Sequence, residues 1–329
     1  MEYNNIELIL LKYNKELGHS VYQLRKKHLN DNFFNNLFIN ITLPLSILII
    51  LYINTLTKNN NIDQIIFLSR DSYWFKQIYD IIFKTNSYYM YFSRLLVSNN
   101  KKRVIDEINN IQGSKILIDL YGSGNTYNLI KDELSDCNYL VCFNWSNNIY
   151  GITNIINYNF IGELLEDVFS APHPSLLNYI HNNYVFKKME YDIKPLKEYM
   201  RLLDLWKNEI NKINKLEVNL CNLNGLSKYI NLFATEKTLY DIYYKNLRQY
   251  IKHLFIHTNE DYQEYPLIFD EKLKDFIVNE IKFSCNGKMT LYNSDIDTTF
   301  LKESLNWIII NDENNIENNI EKKDFNYIL

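Results

Sequence analysis

The fold is decided by Lys115-Ile116-Leu117-Ile118-Asp119-Leu120-Tyr121-Gly122-Ser123-Gly124-Asn125-Thr126. The first half of this stretch is an apolar run with one acid, which is typical of a buried parallel strand. The second half is a loop of small and polar residues, which favours a turn followed by a helix start. A strand that opens into a loop and a helix is the repeating unit of parallel α/β sheets.

Three more short apolar runs resemble this one, at residues 64–69, 88–93 and 139–145. The first is followed by an amphipathic helix around Trp74 to Ile82, and a helix is also expected at 126–134. Strands alternating with helices predict an α/β fold with a doubly wound parallel sheet. In such sheets a ligand binds at the carboxyl ends of the strands, near the point where the strand order reverses.

The chain divides by pattern into three segments. Residues 1–60 have helical spacing and are predicted to be an N-terminal helical segment that packs on the core. Residues 61–185 hold the strand signals and form the α/β core. Residues 186–329 have helical spacing at 193–215, 226–257 and 270–283, and we predict a helical acceptor-side or cap region.

Composition narrows the classes of protein. The 329 residues are 47% hydrophobic with a net charge of −4, so no concentrated basic face is available for nucleic acid. The four cysteines have neither zinc spacing nor a disulfide framework, which suits a reducing cytosol: Cys137, Cys142, Cys221 and Cys285.

The most apolar stretch, Ile41 to Leu56, contains polar residues and is shorter than the ~20 apolar residues of a membrane span. It is predicted to be a buried helix that starts near Pro44. The segment Met1 to Lys12 carries Glu2 and Glu7 and does not resemble a signal peptide. We therefore expect a cytoplasmic protein without a membrane span.

The loop after Asp119 is a candidate phosphate site, because backbone N–H groups and hydroxyls at a helix start favour an anion. Asp119 would hold sugar hydroxyls or a metal-bound diol beside it. The alternative is a plain tight turn in which Thr126 caps the helix. Candidate binding residues of this loop are Tyr121, Gly122, Ser123, Gly124, Asn125 and Thr126.

Two further strand ends carry charged residues. Ser69, Arg70 and Asp71 follow the run at 64–69, and Arg94 follows the run at 88–93. Asp71 or Ser72 could be only a helix cap with Arg70 as its counter-charge. Because three strand ends bear such residues, their coincidence predicts one anionic ligand.

The sequence lacks the motifs of several enzyme classes. No G-x-x-x-x-G-K-[ST] loop is present, which argues against a P-loop NTPase. A dinucleotide or methyl-donor site expects an acid at the next strand end, which instead reads Phe143-Asn144-Trp145. Asp119 is followed by Leu120 and Tyr121, not by the second aspartate of a haloacid dehalogenase-type phosphatase. His173 and His181 lack a ligand partner at useful spacing and are interpreted as structural.

Residues 116–126 resemble the ribose-phosphate loop of type I phosphoribosyltransferases. Asp119 matches the second acid of that motif, and Ser123, Gly124 and Thr126 match the 5′-phosphate loop. Ile118 stands where the family has its first acid. Residues 40–180 are similar to the phosphoribosyltransferase-like domain of bacterial polysaccharide gene clusters, through Phe67 to Tyr73, Tyr91 to Arg94 and Asp119 to Thr126, with Ser72 in place of a glycine.

The resemblance implies a phosphoribosyltransferase-like fold and transfer of 5-phosphoribosyl from phosphoribosyl pyrophosphate to a sugar hydroxyl of a glycan. Mg²⁺ would neutralise the leaving pyrophosphate. Arg70 and Arg94 would hold pyrophosphate. Asp119 would hold the ribose diol and, through the diol, the metal. Asp71 would take the proton from the acceptor hydroxyl. The phosphatase half of such proteins has no counterpart here, so a separate phosphatase would act next.

Two alternatives stay open. A methyltransferase is suggested by Asp119 to Asn125, which approximate a D-x-G-x-G-x loop with one extra residue. A non-catalytic scaffold of the same fold is suggested by Ile118 in place of the first acid.

Overall fold

A parallel sheet with helices on its faces forms the centre of the molecule. The computed structural model describes residues 3–29, 35, 37–146, 150–154, 165, 168–169, 171, 173, 176–180, 183–187, 194–213, 216–235 and 262–266. Five strands lie in the order β2-β1-β3-β4-β5, and every neighbouring pair is parallel. The protein is therefore α/β, as the sequence predicts. The strands are β1 Gln64–Leu68, β2 Tyr88–Met90, β3 Lys115–Gly122, β4 Cys137–Asn144 and β5 Gly151–Asn154.

Eight α-helices belong to the described residues. They are α1 Asn5–Tyr13, α2 Lys15–His28, α3 Leu43–Asn59, α4 Tyr73–Phe83, α5 Arg94–Asn109, α6 Asn125–Asn128, α7 Lys194–Asn211 and α8 Leu223–Thr235. Local sequence explains where the first ones begin. Asn4 and Glu7 form a reciprocal capping box at the start of α1, and the Asn14 side chain caps α2.

Helix α3 is the apolar stretch singled out in the sequence. It begins with Pro44 in its first turn and continues a π-helical turn at Phe38–Thr42. Together Phe38–Asn59 is long and apolar enough to cross a membrane, with a mean hydropathy of 1.9, and 89% of that window is buried inside the molecule. Helix α3 packs against α4 and α8, so it lies in the protein core.

One hydrophobic core runs through all three segments that the sequence pattern distinguishes. It includes Leu10 and Leu17 of the N-terminal helices, Phe67 of the sheet, and Trp206 of α7. The buried indole N–H of Trp206 donates to the Ser20 hydroxyl at 2.8 Å. The N-terminal segment therefore packs on the core and also contacts the C-terminal helices.

A second, antiparallel sheet was not predicted: two of its strands lie at the end of the predicted α/β core at 61–185, and the third lies in the region 186–329 that was predicted to be helical. Its strands are β6 Leu176–Ile180, β7 Asn183–Lys187 and β8 Tyr262–Pro266, in the order β6-β7-β8. Helices α7 and α8 agree with the predicted helical spacing, but β8 was not foreseen. Strand β8 pairs with residues more than 70 positions earlier in the chain, and such long-range pairing leaves little local signal. The helix predicted at 226–257 is described only to residue 235, and the helix predicted at 270–283 and Cys285 lie outside the described residues.

Candidate functional site

The strand order reverses between β1 and β3. The chain passes from β1 outward to β2 and then returns across β1 to β3, from which β4 and β5 extend in the other direction. Phe67, one residue before the end of β1, pairs with Ile118 in the middle of β3, so β1 ends beside the segment of β3 that carries Asp119. Ligands of open α/β sheets bind at such a switch point. The structure therefore brings Arg70 and Asp71, after β1, next to Asp119, near the end of β3.

Hydrogen bonds hold the loop after β1 to both neighbouring strands. The Ser69 N–H donates to the Met90 carbonyl at 2.8 Å, and the Ser69 hydroxyl accepts the Phe92 N–H at 3.0 Å. The Ser72 hydroxyl donates to the Ile118 carbonyl at 3.1 Å. The peptide bond between Ser69 and Arg70 is cis. Ser69, predicted to bind substrate, therefore supports the loop, and Ser72 joins β1 to β3 instead of capping α4 with its side chain.

Asp71 is a buried carboxyl at this switch point. Asp71 is only 9% exposed, and its side-chain Oδ1 has no hydrogen-bond partner among the described residues. Burial raises the pKa of Asp71 to about 7, while the Arg70 guanidinium lowers it and the charge of Asp119 raises it. The two carboxyls thus interact, and Asp71 exchanges a proton near neutral pH.

Asp119 is held by a residue that the sequence reasoning missed. Its Oδ2 accepts the hydroxyl proton of Tyr139 at 2.7 Å, and the Tyr139 ring stacks on Tyr127 with centroids 4.4 Å apart. Burial raises the pKa of Asp119 to about 6, and the bonds from Tyr139 and the Leu120 backbone lower it. Tyr139 lies on β4 two residues before the position opposite Asp119. Side-chain alternation in a paired β3–β4 could have identified it.

The loop after β3 differs in part from the prediction. Tyr121 and Gly122 belong to β3 and pair with β4, so the loop proper begins at Ser123, which is 9% exposed. Gly124 has a φ of 73° and is the residue before α6, so Thr126 is not the cap. Asn125 is exposed and Thr126 is half-buried.

The predicted helix at 126–134 is broken. Helix α6 covers four residues, Asn125–Asn128, and a 3-10 turn follows at Lys131–Glu133. The stretch contains Asn128 and Asp132 and is followed by Ser135 and Asp136, residue types that favour turns over a helix interior. So short a helix supplies little dipole. A phosphate at this loop would depend on backbone N–H groups and on the positive φ that Gly124 permits.

The other residues predicted from the sequence have different environments. Arg94 is exposed and is the first residue of α5, whose N-cap Ser93 accepts the Leu96 N–H at 3.0 Å. Strand β2 consequently ends at Met90, earlier than the predicted 93. Ile118 is fully buried, so the position of the family's first acid lies in the core. His181 lies outside the described residues.

Tyr89 and His173 form a further set of contacts beside Arg70, and the sequence did not predict these contacts. The Tyr89 hydroxyl donates to the Arg70 carbonyl at 3.1 Å and is 2.7 Å from the His173 Nε2. His173 is 5% exposed. In the described part of the chain, no group of three His, Cys, Asp or Glu side chains could hold a metal ion.

Comparison with known proteins does not identify a family for this chain. Neither protein-family models nor curated protein sequences give a match to the chain. The chemistry of the site must therefore be argued from its own side chains. An arginine and two carboxyls with raised pKa values meet at a switch point beside a glycine of positive φ, an arrangement suited to an anionic ligand and to proton transfer.

Proposed function

We propose that the protein is a phosphoribosyltransferase with a phosphoribosyltransferase-like fold. It would transfer 5-phosphoribosyl from phosphoribosyl pyrophosphate to a sugar hydroxyl during polysaccharide synthesis. The observation that carries the proposal is the meeting of Arg70, Asp71 and Asp119 at the β1–β3 switch point. The resemblance of the three strand-end motifs to that family supplies the reaction.

Each side chain has a distinct role in this reaction. The bond from ribose C1 to pyrophosphate breaks, and the leaving group takes the electron pair and is held by Arg70 and Arg94 through forked hydrogen bonds. Asp119 binds the ribose diol and stabilises the positive charge that develops at C1. The acceptor hydroxyl oxygen bonds to C1, and its proton passes to Asp71. A pKa of about 7 suits Asp71 to this role near neutral pH.

The ribose 5′-phosphate would bind the loop from Tyr121 to Thr126. Its site would be formed by backbone N–H groups around Gly124, whose φ of 73° turns the chain there. The Ser123 and Thr126 hydroxyls, the Asn125 amide and the Tyr121 hydroxyl are side-chain donors within this stretch. Tyr139 would keep Asp119 in one orientation through its 2.7 Å hydrogen bond.

Mg²⁺ fits the donor chemistry of the site. Asp71 and Asp119 provide hard oxygen donors, and the Oδ1 of Asp71 has no partner among the described residues. When bound with the substrate, the metal would neutralise pyrophosphate charge, with Asp119 acting on it through the ribose diol.

The wider assignment follows from the same resemblance. The acceptor is a glycan, a separate phosphatase removes the 5′-phosphate afterwards, and the reaction takes place in the cytoplasm. Nucleic acid is not a partner in this proposal, and helix α3 is a core helix of the protein.

The test is release of pyrophosphate from phosphoribosyl pyrophosphate and Mg²⁺ in the presence of a mixture of free monosaccharides as acceptor hydroxyls, measured together with the melting temperature. A ligand at about 100 times its Kd should stabilise the folded state by about 2.7 kcal/mol. Asp119→Asn should lower turnover at least ~100-fold while it keeps the fold, because it removes a charge that acts in the transition state. The control is Asp132→Asn, which changes an exposed acid on the following turn.

Other outcomes would redirect the assignment. Stabilisation without pyrophosphate release would identify a non-catalytic scaffold. No stabilisation at millimolar ligand, with stabilisation by the methyl donor S-adenosylmethionine instead, would identify a methyltransferase. Equal activity of Asp119→Asn and the parent would remove Asp119 from the mechanism.

A further inference from the structure

The Tyr89 hydroxyl joins Arg70 to His173, which lies 84 residues after Tyr89 in the chain. Tyr89 is in β2, and its hydroxyl contacts both the Arg70 carbonyl, at 3.1 Å, and the His173 Nε2, at 2.7 Å. Arg70 and His173 are each 5% exposed. The proposed mechanism uses the Arg70 side chain and Asp71 but neither Tyr89 nor His173.

The direction of these hydrogen bonds is fixed by proton count. A carbonyl oxygen can only accept, so the single proton of the Tyr89 hydroxyl goes to Arg70. With that proton committed, the hydroxyl accepts from His173 in the tautomer that carries a proton on Nε2. The result is a directed chain in which His173 donates to Tyr89 and Tyr89 donates to the Arg70 carbonyl.

His173 is itself held in place. Its ring packs edgewise against Tyr73, Tyr89 and Tyr91, with centroid distances of 6.2, 5.6 and 5.2 Å. Three residues later the Leu176 carbonyl accepts the Ser93 hydroxyl proton at 2.8 Å, at the start of β6. The small sheet is thereby anchored beside the carboxyl end of β2.

The Arg70 carbonyl has a second donor, the Tyr73 N–H at 3.1 Å. Two donors on one carbonyl fix the plane of the peptide that joins Arg70 to Asp71. The orientation of that peptide determines where the Arg70 guanidinium and the Asp71 carboxyl point. Misplacement of a reacting group by about 1 Å is enough to cost ~100-fold in rate.

We propose that Tyr89 and His173 are positioning residues, which act in series to orient Arg70 and Asp71 for the reaction. The kinetic part of this inference rests on the proposed function. Its structural part, the direction of the hydrogen bonds and the restraint on the loop, does not depend on the identity of any substrate.

The structural part is tested without substrate. Nitrogen NMR of ¹⁵N-histidine-labelled protein at about pH 8 should show the neutral Nε2–H tautomer for His173, with the signal assigned by its loss in His173→Gln. Hydrogen exchange of the Tyr73 amide should be faster in Tyr89→Phe than in the parent. The matched control is Tyr79→Phe, which removes another buried tyrosine hydroxyl, from α4, where the ring packs on Phe67 and Phe83. A proton on Nδ1 alone, or unchanged exchange in Tyr89→Phe, would overturn the inference.

The kinetic part uses pyrophosphate release from phosphoribosyl pyrophosphate and Mg²⁺. Tyr89→Phe and His173→Gln should each lower kcat ~10- to 100-fold while KM stays within ~3-fold. Because the two residues act in series, the double variant should be no slower than the slower single variant. Tyr79→Phe should keep the parent rate. Losses that multiply in the double variant, or full activity of Tyr89→Phe, would contradict the proposal. A parent protein that releases no pyrophosphate refutes the proposed function, and the NMR and exchange results then decide the inference alone.

Discussion

Replacing Asp71 with asparagine should make the folded protein less sensitive to rising pH. Burial raises the pKa of Asp71 to about 7 in the folded protein, against its ordinary value of 3.8. Between these values the folded state binds more protons than the unfolded state, so the free energy of unfolding falls as pH rises. Integrated from about pH 5 to about pH 8, the parent should lose ~2.5 kcal/mol that Asp71→Asn does not lose. The variant is nearly isosteric and cannot ionise.

The assay is urea unfolding of both proteins at several pH values, with the difference in unfolding free energy plotted against pH. Because Asp119 interacts with Asp71, the difference in unfolding free energy reports the titration of the two carboxyls as a pair. Asp106→Asn is the control, because that acid on α5 is exposed to water in both states and its difference should stay flat. A difference for Asp71→Asn that runs in the opposite direction would refute the reasoning. It would mean that attraction to the Arg70 guanidinium exceeds the cost of burying the carboxylate.

Three further results are expected. Gly124→Val should abolish binding of phosphoribosyl pyrophosphate in calorimetry, because a β-branched residue resists a φ of 73°. Gly124→Asn should bind the ligand measurably, since Asn tolerates this backbone region. Normal binding by the valine variant would contradict a phosphate loop. Arg70→Lys should release pyrophosphate more slowly than the parent but faster than Asp119→Asn, because it keeps the charge and loses the fork; a rate equal to the parent would exclude forked binding. Ser20→Ala should lower the free energy of unfolding by ~1–3 kcal/mol in urea, because the buried Trp206 N–H loses its acceptor, while Ser98→Ala on an exposed face of α5 should change it by less than ~0.5 kcal/mol.

The sequence predicts the centre of the fold well because its signals there are local. Apolar runs at 64–69 and 115–120 correspond to β1 and β3. Asp71 follows the first run and Asp119 is near the end of the second, and both lie at the β1–β3 switch point. Parallel strands buried on both faces are continuous apolar runs, which single-sequence patterns detect. The start of α3 at Pro44 is likewise a local signal.

The sequence could not predict features that depend on which strands are neighbours. Tyr139 reaches Asp119 only because β4 pairs with β3, and Tyr89 reaches Arg70 only because β2 pairs with β1. The early end of β2 has a local cause, since Ser93 caps the next helix, but the apolar run through Tyr91 and Phe92 concealed it. The roles proposed for these residues remain predictions.

Helix α3 is synthesised early and covered late. Helix α8, which packs on it, begins 164 residues after α3 ends (223 minus 59). At ~5–20 residues per second the ribosome needs roughly 10 to 30 s to make that length of chain. Throughout this interval the nascent chain carries an apolar helix whose mean hydropathy, 1.9 including its π-helical turn, would suit a membrane. A chaperone that binds apolar segments has time to act on it, and a chain cut before residue 223 would keep that face open to aggregation.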